Sequence, residues 1–305
     1  MTCSRRRPPE GLCLRWGATT THRPSTGGKP FVHEPVRSGP DPGSGLAGRF
    51  RAAFLMTALA GILLSGCAAV KPAVPSVTYV SPEAALGALS LPVPSAALTA
   101  TARIEILTRS ERYPLKAALI LKEPASLRLE SIPLLGPPDF VLTLHDGQLR
   151  AYFPQRGTFY AGPATPRTLS RFLPLAMPPA EIVPLMMGRP PAEDPLARPV
   201  LKGGKEEGLY RVDQIVLGAK ARSLWIDPAG GRLAKVRTFA ADGRVLYTAE
   251  FDEHIRVGNA WTPQRLVITG QDGSVRIAYT DIAPLEEEAD VFVLLPEGIT
   301  PIPLD

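Results

Sequence analysis

From Thr99 onward the hydropathy of the chain repeats every second residue, and short turn signals interrupt that repeat at close intervals. Ile104 and Ile106 alternate with Arg103 and Glu105, and Leu127 and Leu129 with Arg128 and Glu130. Val245, Tyr247, Ala249 and Phe251 alternate with Leu246, Thr248 and Glu250. Successive side chains of a strand point to opposite faces, so each run predicts a strand with one dry face and one wet one. Asp146-Gly147, Arg156-Gly157, Gly203-Gly204, Gly230-Gly231, Asp242-Gly243, Gly258-Asn259 and Asp272-Gly273 separate the runs as hairpin turns, because both residues of such pairs tolerate positive φ. A meander of hairpins must curl into a barrel or half-barrel to bury its apolar face. No helical segment alternates with the strands as a parallel α/β fold would require.

Two stretches break the period. Ser81-Pro82-Glu83 predicts a short helix start, with Ser81 as cap and Glu83 at the positive helix end. Residues 165–188 carry Pro174, Pro178, Pro179 and Pro184, which restrict them to two short helices, the second kinked or shortened. Phe172, Leu173, Leu175, Met177, Ile182, Val183, Leu185, Met186 and Met187 give this piece more apolar surface than it can hide alone. It must cover the open side of the sheet as a lid. A curved sheet under such a lid can enclose an apolar cavity, since unbranched Met side chains repack around variable shapes. The alternative is a lid that seals a core filled by its own side chains. A polar insertion is read from Arg189 to Gly208.

The start of the chain reads differently. Arg49 and Arg51 precede about a dozen apolar residues that end in Leu64-Ser65-Gly66-Cys67. A basic start, an apolar stretch too short to cross a bilayer and small residues before a cysteine make residues 49–66 a secretory signal, with Cys67 as the lipidated residue of a lipobox. The diacylglycerol and amide-linked acyl (palmitate-type) chains on one residue would supply the two hydrophobic signals that stable anchoring needs. Residues 1–48 are Pro-, Gly- and Arg-rich, without apolar periodicity, and read as a disordered or mis-assigned extension. Residues 67–76, punctuated by Pro72 and Pro75, read as a tether, and residues 77–305 as one folded domain. Ala68 follows Cys67; in enterobacteria an aspartate there retains a lipoprotein at the inner membrane, so its absence favours the periplasmic face of the outer membrane.

Charge supports this division. The chain is formally +5, but nine of its cations and only three of its acids precede Cys67, leaving 25 basic and 26 acidic residues after position 66. The basic character lies in the leader, and no cluster of cations with aromatics supports nucleic-acid binding. Cys3, Cys13 and Cys67 are the only cysteines; cleavage before Cys67 leaves one thiol, itself lipidated, so neither a disulfide nor a cysteine metal site is expected. His145-Asp146-Gly147 reads as a hairpin tip and Asp252-Glu253-His254 as a solvated strand end. Glu286-Glu287-Glu288 reads as an exposed loop. Nucleophile elbow, phosphate loop and dinucleotide fingerprint are all missing, so the expectation is a protein without cofactor, metal or catalytic centre, not an enzyme.

The order of Leu127-Arg-Leu-Glu-Ser-Ile-Pro-Leu-Leu-Gly136, the strand at Phe140 to Leu144, the hairpin to Leu149–Phe153, Thr158-Phe-Tyr-Ala-Gly162, Phe172-Leu-Pro-Leu175 and Leu185-Met-Met-Gly-Arg-Pro-Pro191 resembles the Lol-pathway family of periplasmic lipoprotein carriers and outer-membrane lipoprotein receptors. The resemblance covers residues 77–305 in architecture and is motif-like only over 127–191. It implies an unclosed antiparallel half-barrel, mainly β with some α, and a short-helix lid over an apolar cavity for acyl chains. It also implies partners: a membrane, lipidated proteins and a periplasmic carrier protein. Ile132-Pro-Leu-Leu-Gly136 matches the apolar loop with which the receptor branch inserts cargo into a membrane, with Leu134 and Leu135 at its tip. The alternative is that both leucines pack inward under the lid, and their exposure decides between the two. Phe172, Leu173, Leu175, Met177, Ile182, Leu185, Met186 and Met187 would form the acyl-facing lid. The competing reading is a structural or assembly lipoprotein that uses the same sheet to bind a protein. A ligand-binding barrel should be hollow beneath Met186 and Met187; an interaction module should be filled there and apolar outside.

Overall fold

Among the described residues, thirteen strands form two antiparallel meanders within a single sheet, one of the first six strands and one of the next seven. They are β1 (Ala97–Thr108), β2 (Arg112–Lys122), β3 (Ser126–Ser131), β4 (Val141–His145), β5 (Gln148–Phe153), β6 (Thr158–Pro163), β7 (Val200–Glu206), β8 (Leu209–Val216), β9 (Ala219–Asp227), β10 (Arg232–Phe239), β11 (Val245–Val257), β12 (Ala260–Gly270) and β13 (Gly273–Pro284). A short β14 (Ile302–Pro303) adds in parallel to β6. The computed structural model describes residues 78–89, 97–192, 197–258, 260–285 and 290–305, within a compact unit running from Pro75 to Asp305. The spatial order is β14-β6-β5-β4-β3-β2-β1-β13-β12-β11-β10-β9-β8-β7. Ends at β14 and β7 leave the sheet unclosed, with β1 and β13 joining its two halves.

Alternation fixes which face is buried. Ile104 lies opposite Leu115 on β2 and Ile277 on β13, and Ile277 lies opposite Leu266 on β12; this row belongs to the main core. A one-residue slip would expose all of it. Next to it, Ala102 faces Ala117 on β2 and Tyr279 on β13. Small residues on this face leave room for the lid to approach the sheet, and the Tyr279 hydroxyl donates to the Met186 carbonyl at 2.9 Å.

The Ser81 cap forms as expected, with its hydroxyl accepting the Ala84 amide of α1 (Pro82–Leu89) at 3.2 Å. This helix packs on β7, β8 and β10; Ala85 joins Tyr210, Val212 and Ile226 in a second, smaller cluster, and Leu86 and Leu89 touch both clusters. At the other end of the chain, residues 290–305 cross β3 and β5: the Arg150 guanidinium donates to the Val293 carbonyl at 2.9 Å and lies 3.5 Å from the Phe292 ring centroid. Leu304, buried, donates its amide to the Ala161 carbonyl. This strap covers the β6 edge, which would otherwise present unpaired backbone groups.

Two sequence expectations are corrected. Gly203-Gly204 is not a turn but the middle of β7, inside the stretch read as a polar insertion; the turn falls at Glu207-Gly208, both at positive φ. The stretch lacks alternation because β7 is an edge strand, mostly exposed, with the Tyr210 ring lying against Gly203. His254 is not on a solvated face. Glu253 takes a positive φ of 51° within β11, whose pairing with β12 keeps the same register on either side of it. His254 is half-buried, with Nε2 at 3.0 Å from the Leu233 carbonyl.

The readings of residues 1–48, of the signal at 49–66, of Cys67 and Ala68, of the tether at 67–76, of Asn259 and of Glu286-Glu287-Glu288 lie outside the described residues.

Candidate functional site

The lid begins where Thr165 caps α2 (Pro166–Leu169). The Thr165 hydroxyl accepts the Thr168 amide at 3.1 Å, while the Thr168 hydroxyl accepts the Thr165 amide at 2.9 Å. Pro166 at the first helical position loses nothing there, since that amide has no intrahelical partner. The chain continues through Phe172, whose ring meets Tyr160, Phe140 and Phe153 with centroids 5.8, 6.4 and 6.5 Å away. After a 3-10 turn at Pro179–Glu181 it enters α3 (Ile182–Met186). Pro174, Pro178 and Pro179 do break the segment, and α3 is short.

All five residues of α3 are buried. A helix that is apolar on every side must be covered on every side, and here sheet and lid loops together cover it. The structure brings the lid residues together: Leu175, Met177, Ile182, Leu185, Met186 and Met187 are buried in the main core, with Phe172 and Leu173 packed against it. The space beneath Met186 and Met187 is therefore filled rather than hollow. An empty apolar cavity would forfeit the contacts of its lining atoms, and here the lid packs directly on the sheet. A cavity of about 600 Å³ lies elsewhere, on β1, β2, β12 and β13, and no lid residue lines it.

The lid ends in a glycine stop. Gly188, at φ 76°, donates its amide to the Leu185 carbonyl, and Arg189 donates to Pro184. These two bonds are the Schellman pattern that closes a helix with a left-handed residue. A Cβ at Gly188 would come within 2.4 Å of Pro263 Cδ on β12, so closeness and backbone both require glycine.

Few polar groups hold the lid down, and the sequence did not single them out. Glu181, on the 3-10 turn, takes a hydrogen bond from Arg222 on β9 at 2.7 Å and another from the Tyr247 hydroxyl on β11. Arg222 also donates to the Pro191 carbonyl at 3.1 Å. Burial, then the Glu181 charge, push the Tyr247 hydroxyl well above the ordinary tyrosine range, so it stays a donor. The buried Nε of Arg222 has no partner. Arg189 pairs with Glu123 at the far side of the lid. These charges lie far apart in sequence, and only the fold makes them neighbours.

The loop after β3 behaves differently. Leu134 is 98% exposed and Leu135 86%, with Ile132 at 39%. The packed-inward alternative is excluded: two leucines stand in solvent on a loop of prolines and a positive-φ Gly136. The loop is anchored, since Ile132 donates its amide to the Lys116 carbonyl at 2.7 Å and Ser131 Oγ accepts the amides of Asp139 and Phe140.

At the His145 tip, Asp146 and Gly147 take the positive φ that the turn needs. Ser126 Oγ lies 2.9 Å from His145 Nδ1, and the Asp146 carboxylate 3.3 Å from Nε2. The sequence shows no nucleophile beside this histidine; the fold supplies a hydroxyl 19 residues away, at an exposed hairpin tip that the cavity does not reach. Among the described residues no group of three metal-ligating side chains occurs, and no helix is long and apolar enough to cross a membrane.

No protein-family profile and no curated protein matches the chain. Solved structures do. A DUF1329 family protein from Desulfovibrio piger aligns over 70% of this chain and 97% of its own, at 9% identity and a TM-score of 0.50. The chain shares its overall fold with that protein. A LolA superfamily protein from Nitrosomonas europaea aligns over 69% of this chain and 96% of its own, at 12% identity and a TM-score of 0.48. The Mycobacterium tuberculosis lipoprotein LppX aligns over 70% and 100%, at 11% identity and a TM-score of 0.28. Identities this low carry the fold across and not the activity. The architecture expected from the sequence is met: one unclosed sheet, mainly antiparallel, with a few short helices.

Proposed function

We propose that this chain is a lipid-anchored envelope protein that takes acyl chains or lipidated proteins between its lid and its sheet, and that it receives lipoproteins at the periplasmic face of the outer membrane. The observation that carries the reading is α3 with Met186 and Met187: an all-apolar, proline-shortened helix on an open sheet, ending at Gly188 and held by one buried polar cluster around Glu181. Acyl binding exchanges lid-to-sheet contacts for lid-to-acyl contacts. Each buried methylene contributes about 0.8 kcal/mol, most of which cancels against the membrane or carrier the acyl chain leaves, so small differences direct transfer. Cys67 would tether the domain, and Leu134 and Leu135 would enter the membrane to deliver cargo. A periplasmic carrier protein is the expected donor.

The filled interior together with exposed leucines favours a second reading, an assembly lipoprotein that binds protein through its outside. Photo-crosslinking to the lid separates the two. A diazirine fatty acid should label the lid of the acyl-binding protein and leave the Arg222→Ala and Met186→Glu forms with altered yields; absence of lid labelling supports the assembly reading.

A further inference from the structure

The cavity on β1, β2, β12 and β13 lies outside the lid; its exposed lining is mainly apolar, and charged residues stand around it. Registers place Lys116 opposite Arg103, Arg103 opposite Ala278, and Ala278 opposite Arg265. Three cations thus share one row across four strands, with a small residue between two of them. Arg276 and Glu105 line the same 600 Å³ cavity. Glu105 is already engaged by Arg112 and Arg276, and Arg265 by Glu253. Asp252 lies opposite Arg265 at the end of the row. Five cations therefore face three carboxylates, and the local surplus is positive in a domain that is otherwise near neutral.

This basic row touches the exposed loop. The Lys116 carbonyl accepts the Ile132 amide, so the chain carrying Leu134 and Leu135 leaves the sheet at the residue where the row begins. Beyond that point β2 runs on through Leu115 and Pro114, both of which line the cavity. An apolar tip beside a cationic hollow has the layout of an interfacial membrane site: leucines enter the acyl region while guanidinium and ammonium groups meet phosphate oxygens at the headgroup level.

We infer that the Arg103–Lys116–Arg265 hollow holds the anionic headgroups of phospholipids in the membrane that Leu134 and Leu135 enter, making this end of the sheet a docking surface for anionic bilayers. The inference rests on the membrane-facing reading of that loop and adds lipid selectivity to it. Guanidinium forks bind phosphate bidentately, and attraction to an anionic surface falls with salt.

The test is vesicle sedimentation of residues 75–305, the compact unit that carries the core, with phosphatidylcholine vesicles and with vesicles about one third phosphatidylglycerol. Binding to the anionic vesicles should be at least about tenfold stronger, and weaken with added salt. R103E/K116E should lose that preference while keeping its binding to phosphatidylcholine, and R103A/K116A should lie between. L134E should lose binding to both. Equal binding to the two vesicle types by the unaltered protein, with L134E still defective, overturns the inference and leaves the membrane-loop reading standing. No binding to either overturns both. Loss of the preference in millimolar inorganic phosphate at constant ionic strength would assign the hollow to free phosphate instead and also overturn the docking role.

Discussion

Arg222 and Glu181 join across 2.7 Å although 41 residues separate them, and both are largely buried. Removing one partner of such a pair leaves the other charge uncompensated, at a cost of about 3 kcal/mol. Because Glu181 sits on the lid and Arg222 on β9, the cost falls on lid closure before it falls on the whole fold. Arg222→Ala should raise amide hydrogen exchange at Met187 and Gly188 by about a hundredfold while leaving β11 and β12 protected. Equal acceleration across the sheet would mean that the pair supports global stability instead.

Gly188→Ala should destabilise by about 2 kcal/mol or more, because it adds left-handed strain to a clash with Pro263. Thermal unfolding measures the loss. Gly136, also at positive φ but with open space around it, isolates the backbone part: Gly136→Ala should cost about 1 kcal/mol.

Acid should weaken the fold near neutrality through His254. Burial, then the Arg232 charge, lower its affinity for a proton below the ordinary histidine value, so the folded form is neutral where the unfolded chain becomes charged. Stability is therefore full above the unfolded value of about 6.5 and falls as pH drops through it, because the unfolded state then binds the extra proton. His254→Gln should flatten the stability profile between about pH 7 and 5. An unchanged slope would assign the dependence to other groups. Lowered carboxylates such as Asp213, where hydrogen bonds from Ser223 and Lys220 outweigh burial, act in a separate window at lower pH.

Leu134→Glu should leave the melting temperature within about 2 °C, since a fully exposed side chain has no packing to lose. It should remove membrane association. A large fall in melting temperature would show that the loop packs in solution, against the exposure seen.

How much of this was legible in the sequence depends on the distance over which each signal acts. β1 and β11 could be read because Ile104 against Arg103, or Tyr247 against Thr248, report local alternation. Positive-φ pairs such as Asp146-Gly147 fixed hairpins within two residues, and the prolines at 174, 178 and 179 announced the broken lid. β7 escaped because an exposed edge strand has no dry face, so Lys202-Gly203-Gly204-Lys205 looked like a loop. The turn at Leu217-Gly218 was passed over although both residues hold positive φ, because leucine is uncommon there. The burial of His254 escaped because its contact, the Leu233 carbonyl, lies 21 residues away. The Glu181 cluster, the Ser126–His145 contact and the Lys116–Arg103–Arg265 row depend on strand register or on residues far apart, which no window along the chain contains.

The central claim is that the space under α3 accepts acyl chains. Native mass spectrometry of residues 75–305, incubated with a triacylated lipoprotein and with its unacylated form, tests it most directly. The account predicts a one-to-one complex with the acylated form alone, strengthened when Arg222→Ala frees the lid. Equal binding to both forms, or binding to neither, would contradict it and make the lid a permanent part of a filled core.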